Sequence, residues 1–365
     1  MVTSRHFVVC ATGTLLLILF SATAHAQEAP INVSPSENDR YAASQAQNLK
    51  HHARPANTPT ARDAGRTETS NMHSAAENPD HHEGPEHGAR YPADLEYHGG
   101  PVATFMRQHL IYVNLGTTCN SVATCWGDPH KFLRHLGESD MIHIVDQYTG
   151  EEANNRYTVS NTSYLVPFPP ALKYSDNDML TIVHAVVTTF NLPTGYGNEY
   201  HVFLVPGQDE CFNNPDGSIS NVCYSPDIPA TFIFCAYHGS ADFNDIGHVL
   251  YSVEPFQDVN GCSSRPGTPN GQLADSTNNV LSHEVFETIT DPDGTAWWNS
   301  LDNGLFGQEI GDECSFLIFI PNPNPPPPVL VYFDPSNVTL NGRKYAIQPE
   351  ENNADHDCSI EPPDD

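Results

Sequence analysis

Ser282-His283-Glu284-Val285-Phe286-Glu287-Thr288-Ile289-Thr290-Asp291-Pro292-Asp293-Gly294 constrains the fold more than any other stretch, because it sets an imidazole and two carboxylates on little more than one helical turn. Residues four apart stack on one face of a helix, so His283 and Glu287 reach the same point in space. Leu281, Val285 and Ile289 repeat with the same step about half a turn round, and give the helix an apolar back to bury. Pro292 then ends it. A His/Glu front on a buried helix is how zinc peptidases of the His-Glu-x-x-His kind hold their metal, with the Glu after the first His as general base. Here Glu287 stands where that pattern has its second His. The alternative reading of the same residues is an amphipathic helix whose polar face is merely solvated.

A fold around such a helix needs a core, and the chain opens with a segment that does not supply it. Arg5, the apolar run from Phe7 to Ala22 and Ala24-His25-Ala26 read as a secretory signal peptide over residues 1–26, too short and too small-residue-ended to anchor in a membrane. Cys10 sits inside the apolar run and not at a cleavage point, which argues against a lipoprotein. The expected product is secreted, extracellular or periplasmic, without membrane insertion. Asp and Glu number 45 against 15 Lys and Arg, a formal charge of −30, which repels nucleic acid and anionic lipid. A monomer acting on a peptide or cell-wall-type substrate fits this composition.

Eight cysteines follow the signal segment, none in a Cys-x-x-Cys metal or redox pattern, so an exported chain should use them as disulfides. Pairing sequence neighbours gives Cys119 with Cys125, Cys211 with Cys223, Cys235 with Cys262 and Cys314 with Cys358, one of about 105 connectivities.

From residue 27 to 94 the chain is polar and rich in Ala, Asn, Pro and His, with no apolar period of 2 or 3.6, and is expected to be disordered. Its histidines, His51-His52, His73, His81-His82 and His87, could hold a metal loosely or belong to a biased spacer. A pro-segment covering the site is a third option. Residues 95–358 read as one mixed α/β (α+β) domain, a mixed twisted sheet packed against the site helix and braced by disulfides; residues 359–365 are an acidic tail.

Within that domain Leu110 to Val113 is a buried strand. Asp128-Pro129 starts a helix, another follows over 141–148, and Ser175 to Asp178 caps a long one whose Met179, Ile182, Val183, Val186 and Phe190 keep one face apolar. Strands follow over 200–205, 231–236 and 248–253, the first two separated by a loop stapled through Cys211 and Cys223. The site helix is capped at Asp275 or Ser276. Beyond it lie the Trp297-Trp298 pair, strands over 316–320 and 329–333 joined by a Pro-rich loop, and a hairpin on Asn341-Gly342. The last fifteen residues are frayed except where Cys358 pins them.

Two ligands on one helix face need a third from elsewhere. Glu309 and Asp312 lie 22 and 25 residues beyond Glu287, a spacing at which zinc peptidases with a separate downstream Glu complete their sphere. Glu309 is the preferred ligand and Asp312 the group that orients His283, with the reverse left open. Asp293 is a rival third ligand, and Asp291-x-Asp293-Gly294 reads either as part of a calcium loop or as a plain acidic turn. With His283 and two carboxylates around one zinc the site is electrically neutral. It is then a weaker Lewis acid than a His-rich one, and open to manganese. Glu284 is the general base, and His238, or Tyr237 beside it, could stabilise an oxyanion. Trp297 and Trp298 could line a cleft or pack on the helix end. No Gly-rich phosphate loop and no Gly-x-Ser-x-Gly elbow occurs.

Tyr97-His98-Gly99-Gly100-Pro101-Val102, the Ile111-Tyr112 strand, Cys235-Ala236-Tyr237-His238, Ser282-His283-Glu284 with Glu287, Asp291-Pro292, Ala296-Trp297, Glu309-Ile310-Gly311-Asp312-x-Cys314 and Asn341-Gly342-Arg343-Lys344-Tyr345 together resemble, in the same order, the phosphate-induced (EXORDIUM-like) protein family. The resemblance spans about residues 95 to 350 and departs at the Pro-rich loop and the His-rich leader. It implies an exported protein of zincin-like fold in which the His-Glu-x-x-Glu and Glu-Ile-Gly-Asp blocks meet at a metal. It implies no particular reaction, so a metal-dependent peptidase or amidase and a non-catalytic wall protein with a structural or relic metal site both stand.

Overall fold

Apolar residues run without a polar break through Leu110-Ile111-Tyr112-Val113, the pattern of a strand covered on both faces. The structure, a computed structural model, places it inside a seven-stranded sheet. It describes residues 27–56, 94–300 apart from 170, 172, 215 and 265, and then 306–315, 319–320, 329–330 and 338–363. The proposed signal segment, His73, His81, His82 and His87, and the Pro321 to Pro328 loop lie outside the described residues.

The sheet strands are β1 (Ile31–Asn32), β2 (Gln47–Pro55), β3 (Met106–Val113), β4 (Tyr157–Val166), β5 (Asn198–Phe203), β6 (Phe234–Phe243) and β7 (Gly247–Glu254), in the spatial order β1-β4-β3-β5-β7-β6-β2. Pairing is parallel from β1 to β7 and antiparallel across β7-β6 and β6-β2. This is the expected mixed sheet in an α+β domain.

Side-chain alternation along the strands divides the core in two. On one face Ile111, Val113, Tyr200, Val202, Tyr237 and Tyr251 pack with α3 (Asp176–Phe190), and α3 in turn packs on α1 (Glu37–Ser44). The opposite face carries Leu110, Tyr112 and Phe203, and meets α2 (Pro129–Gly137) and α4 (Gln272–Thr290). The apolar back of α4 is fully buried here, through Leu281, Val285, Phe286 and Ile289. Each such side chain contributes about 1.5–3 kcal/mol relative to exposure, which fixes the rotation of the helix and hence the aim of His283 and Glu287.

Several elements follow the sequence closely. Ser175 and Asp178 form the capping box of α3, and Asp128 accepts the Lys131 amide ahead of Pro129. Asn341 and Gly342 both take positive φ, at 44° and 73°, as a two-residue hairpin turn requires. All four disulfides join the neighbouring pairs, Cys119–Cys125, Cys211–Cys223, Cys235–Cys262 and Cys314–Cys358. Phe319–Ile320 and Val329–Leu330 pair antiparallel, the described part of the two strands expected there.

Others differ. Residues 27–56 are not a structureless leader: they form β1, α1 and β2, and β2 extends the sheet along β6. A Ser36–Asp39 capping box starts α1, and Asp39 Oδ1 lies 2.7 Å from His184 Nδ1 of α3, tying the helix down. An added edge strand is held mainly by backbone pairing, which needs no apolar period in the sequence, and that is why this segment reads as polar coil. The strand expected over 231–236 lies later, at Phe234–Phe243, and is longer. Cys211 and Cys223 face each other across paired strands Asp209–Asn213 and Ile219–Tyr224, not at the ends of a loop. α4 begins at Gln272 behind Gly271, earlier than Asp275, whose carboxylate instead accepts the Asn270 amide (2.8 Å). Near the end of the chain, Glu350–Asn352 pairs antiparallel with Asp357–Ser359.

Candidate metal centre

The polar face of α4 looks onto the sheet face that carries His238 of β6, and the downstream Glu309–Asp312 segment closes over both. His283 Nε2 lies 3.0 Å from Glu287 Oε1 and 3.7 Å from Asp312 Oδ1, so these three side chains converge on one point. The Asp312 amide donates to the same Glu287 oxygen (3.2 Å). His238 Nδ1 lies 3.4 Å from Glu284 Oε2 and 3.4 Å from Glu287 Oε2, a second convergence that shares Glu287. A third grouping, Cys314 and Cys358 with Glu351, is taken up by the disulfide.

Glu309 and Asp312, the two acids the spacing offered, stand at different imidazoles, Asp312 at His283 and Glu309 at His238. Asp312 faces Nε2 of His283, on the side of Glu287, and so cannot orient that ring from behind. Glu309 sits instead near His238, its Oε2 3.7 Å from Nε2, and its Oε1 meets His52 Nδ1 of β2. The backbone makes this approach possible at Gly311, where a Cβ would lie 2.5 Å from His283 Nδ1.

Asp293 is not at the centre: its carboxylate lies 3.2 Å from His248 Nε2 and accepts the Tyr196 hydroxyl at 2.6 Å. Asp291 Oδ1 accepts the Thr295 and Ala296 amides, which makes 291–294 an acidic turn. Tyr237 points to the other face of the sheet, because strand neighbours alternate, and its hydroxyl donates to Glu210. The tryptophans pack, Trp297 against Tyr97 and Tyr148 and Trp298 on His98.

Three residues at the centre, Arg54, Glu254 and Glu350, escaped the sequence, and His52, noted there only as a loose donor in the leader, joins them. His52 stacks on His238, and Arg54, Glu254 and Glu350 come within electrostatic reach of the Glu284–Glu287 pair. Part of this was signalled by polar residues at period two on otherwise apolar strands: Glu199-x-His201, His238-x-Ser240 and Ser252-x-Glu254. These line one sheet face under α4. The Thr288 hydroxyl donates to Glu199 (2.9 Å), His201 Nδ1 meets Ser252 Oγ at 2.7 Å, and Ser252 donates to Glu254 (3.1 Å).

So many buried acids perturb one another. Burial pushes Glu284, Glu309, Asp312 and Glu350 well above the usual carboxylate range, and Glu199 and Glu254 up to about 8. Glu287 is the exception: burial opposes its charge, but the adjacent His283 and His238 bring it down to about 2. Burial likewise disfavours a charged His238, yet the Glu284 and Glu287 carboxylates facing its Nδ1 at 3.4 Å raise it well above the ordinary imidazole value. His283 is lowered by burial.

The donor set fits a divalent cation. Among the described residues, His238 Nδ1, both Glu284 oxygens and both ring nitrogens of His283 have no hydrogen-bond partner although each side chain is wholly buried. Imidazole and carboxylate together suit zinc and also manganese. Compared with protein-family models, curated proteins and solved structures, the chain matches none. No helix among the described residues is long and apolar enough to cross a membrane.

Proposed function

We propose that this is a secreted, metal-dependent hydrolase of peptide or amide bonds, with His283, Glu287 and Asp312 holding zinc or manganese. The observation that carries the reading is the convergence of those three buried side chains beside a second acid and a second imidazole, Glu284 and His238. A bound divalent ion supplies Lewis acidity, polarising a substrate carbonyl and making a nearby water easier to deprotonate. Glu284, 3.4 Å from His238 Nδ1, takes that proton as general base and returns it to the leaving amine. His238 shares the proton with Glu284, and in its charged form stabilises the oxyanion. Asp291 holds the ring in place, since its carbonyl lies 3.3 Å from His238 Nε2. Four disulfides suit an oxidising, extracellular setting. The EXORDIUM-like resemblance belongs to the same proposal, and the blocks that carry it pack together, Tyr97 pairing with Trp297 and Gly100 lying against Thr295.

A structural ion is the second reading, and burial favours it: His283 and Glu284 are 0% exposed and Glu287 1%. The protein purified from residue 27 onward separates the two. Bound metal, cleavage of a peptide library and loss of turnover in Glu284→Gln with metal retained support the hydrolase. Metal retained with no cleavage by the wild type, and stability lost on chelation, supports the structural ion. Fully stable protein that binds no metal overturns both.

A further inference from the structure

The hydrolase reading uses one ion, yet the site presents two donor sets. We propose that a second divalent cation binds between His238, Glu284 and Glu287, so that Glu287 bridges two ions, and that filling this position switches the acid–base pair off. The proposal rests on the hydrolase reading for its consequence, though not for its geometry.

The two oxygens of Glu287 are committed to different rings: Oε1 is 3.0 Å from His283 Nε2 and Oε2 is 3.4 Å from His238 Nδ1. A carboxylate used in this way holds paired metals about 3.5–4 Å apart in two-ion hydrolytic sites. In each set the donor atoms lie within 4.8 Å of one another.

His238 is arranged as a ligand and not only as a proton carrier. Its Nε2 faces the Asp291 carbonyl at 3.3 Å, and a carbonyl accepts only, so Nε2 carries the hydrogen. The Nδ1 lone pair is then aimed at two carboxylate oxygens. Acceptor facing acceptors is repulsive unless a cation lies between, and that cation is a proton or a metal. Glu309 and His52 stand behind the ring, the carboxylate–imidazole arrangement that holds metal-ligating histidines in position.

Glu254, Glu284, Glu287, Glu309, Asp312 and Glu350 crowd one another and Arg54 in a buried space, where a cation in each donor set would relieve like-charge repulsion. The second ion displaces the proton held between His238 and Glu284, using the same Nδ1 and Oε2 atoms. Glu284 cannot then accept a proton from water, so excess metal inhibits.

The test is to strip the protein with chelator, titrate it with zinc and with manganese, and count bound ions by calorimetry and elemental analysis. Two ions per chain are expected. His238→Ala and Asp312→Ala should each keep one and Glu287→Ala none, with circular dichroism confirming that the variants fold. Wild-type protein with two manganese ions should give an exchange-coupled paramagnetic resonance spectrum, and His238→Ala the six-line signal of an isolated ion. Wild-type saturation at one ion overturns the second site and leaves the hydrolase reading standing. So does an uncoupled two-ion spectrum, a readout that needs no variant to fold. Saturation at zero overturns both. With two ions bound, cleavage that does not fall as the second equivalent is added overturns the inhibition.

Discussion

His52 lies nearly parallel to His238, with ring centroids 5.3 Å apart and planes 21° from parallel. The contact joins the outermost strand of the sheet to the candidate metal centre, and both side chains are closed off from solvent, His52 at 7% exposure and His238 at 0%. β2 is therefore a wall of the site as well as the edge of the sheet. Replacing His52 by Ala removes the stack and the contact with Glu309. The expected loss is about 1–3 kcal/mol, the range for deleting one partner of a buried hydrogen-bonded pair. Urea unfolding reads it as a lower midpoint with an unchanged slope. An unaltered midpoint would show that His52 carries no load.

Burial holds Glu199 and Glu254 up to about 8, and Asp291 up to about 7. In the unfolded chain the same groups ionise near 4.5 and 3.8. Between those limits the folded state binds more protons than the unfolded one, so stability falls as pH rises. His201, lowered to about 3 by burial, acts in the opposite sense, but only below its ordinary 6.5, where the unfolded imidazole takes up a proton. The acids are thus unopposed by His201 from pH 6.5 to 8, and the urea midpoint of chelator-treated protein should drop across that window. Saturating zinc should leave this drop in place, because Glu199, Glu254 and Asp291 are not among the residues placed around the ion, while raising the midpoint as a whole. A midpoint that rises between pH 6.5 and 8 in the metal-free protein would contradict the burial of these acids.

Local chemistry was legible in the sequence, and long-range assembly was not. Period-four apolar residues placed Leu281, Val285 and Ile289 at the back of α4, and pairing each cysteine with its sequence neighbour anticipated every disulfide. Spacing and the family resemblance suggested that Glu287 meets the Glu309–Asp312 segment, with Glu309 preferred, and it is Asp312 that lies beside His283 and Glu287. Which oxygen faces which nitrogen was not legible, since it depends on how Gly311 seats its backbone against the His283 ring. β2 was missed because its order comes from pairing with β6, and no local pattern encodes a partner that far along the chain. Tyr237 was misplaced for a simpler reason: one residue along a strand changes the face.

The Glu309–Asp312 segment is tethered at its far end. Cys314 is bonded to Cys358 across 44 residues, and the Glu351 amide donates to the Ile310 carbonyl at 3.0 Å. Chain-entropy arguments give a loop of that length about 4 kcal/mol of stabilisation. Replacing both cysteines by serine should therefore lower the thermal midpoint more than the same change at Cys119 and Cys125, which close a loop of only 6. It should also weaken zinc binding, since the segment carrying Asp312 then loses its covalent tether and keeps only its hydrogen bonds. Calorimetric titration of both double variants separates these effects: weaker binding is expected for the 314–358 pair alone.

At Gly311 the backbone passes against the His283 imidazole. A Cβ there would lie 2.5 Å from His283 Nδ1 and 2.9 Å from two ring carbons, and the Gln348 amide holds the Gly311 carbonyl at 2.7 Å. The backbone is pinned, so in Gly311→Ala the ring must give way. Overpacking of this kind costs about 1–3 kcal/mol. The larger consequence is chemical, because displacing the ring moves Nε2 away from Glu287 Oε1 and Asp312 Oδ1, and zinc affinity should fall by at least tenfold. Serine at the same position should behave like alanine, since the obstruction is the Cβ itself. Thermal melts in chelator read the packing cost, and melts in zinc read that cost plus the lost binding. Alanine that leaves both unchanged would mean the His283 ring is free to move, and that the site is not held as tightly as its burial implies.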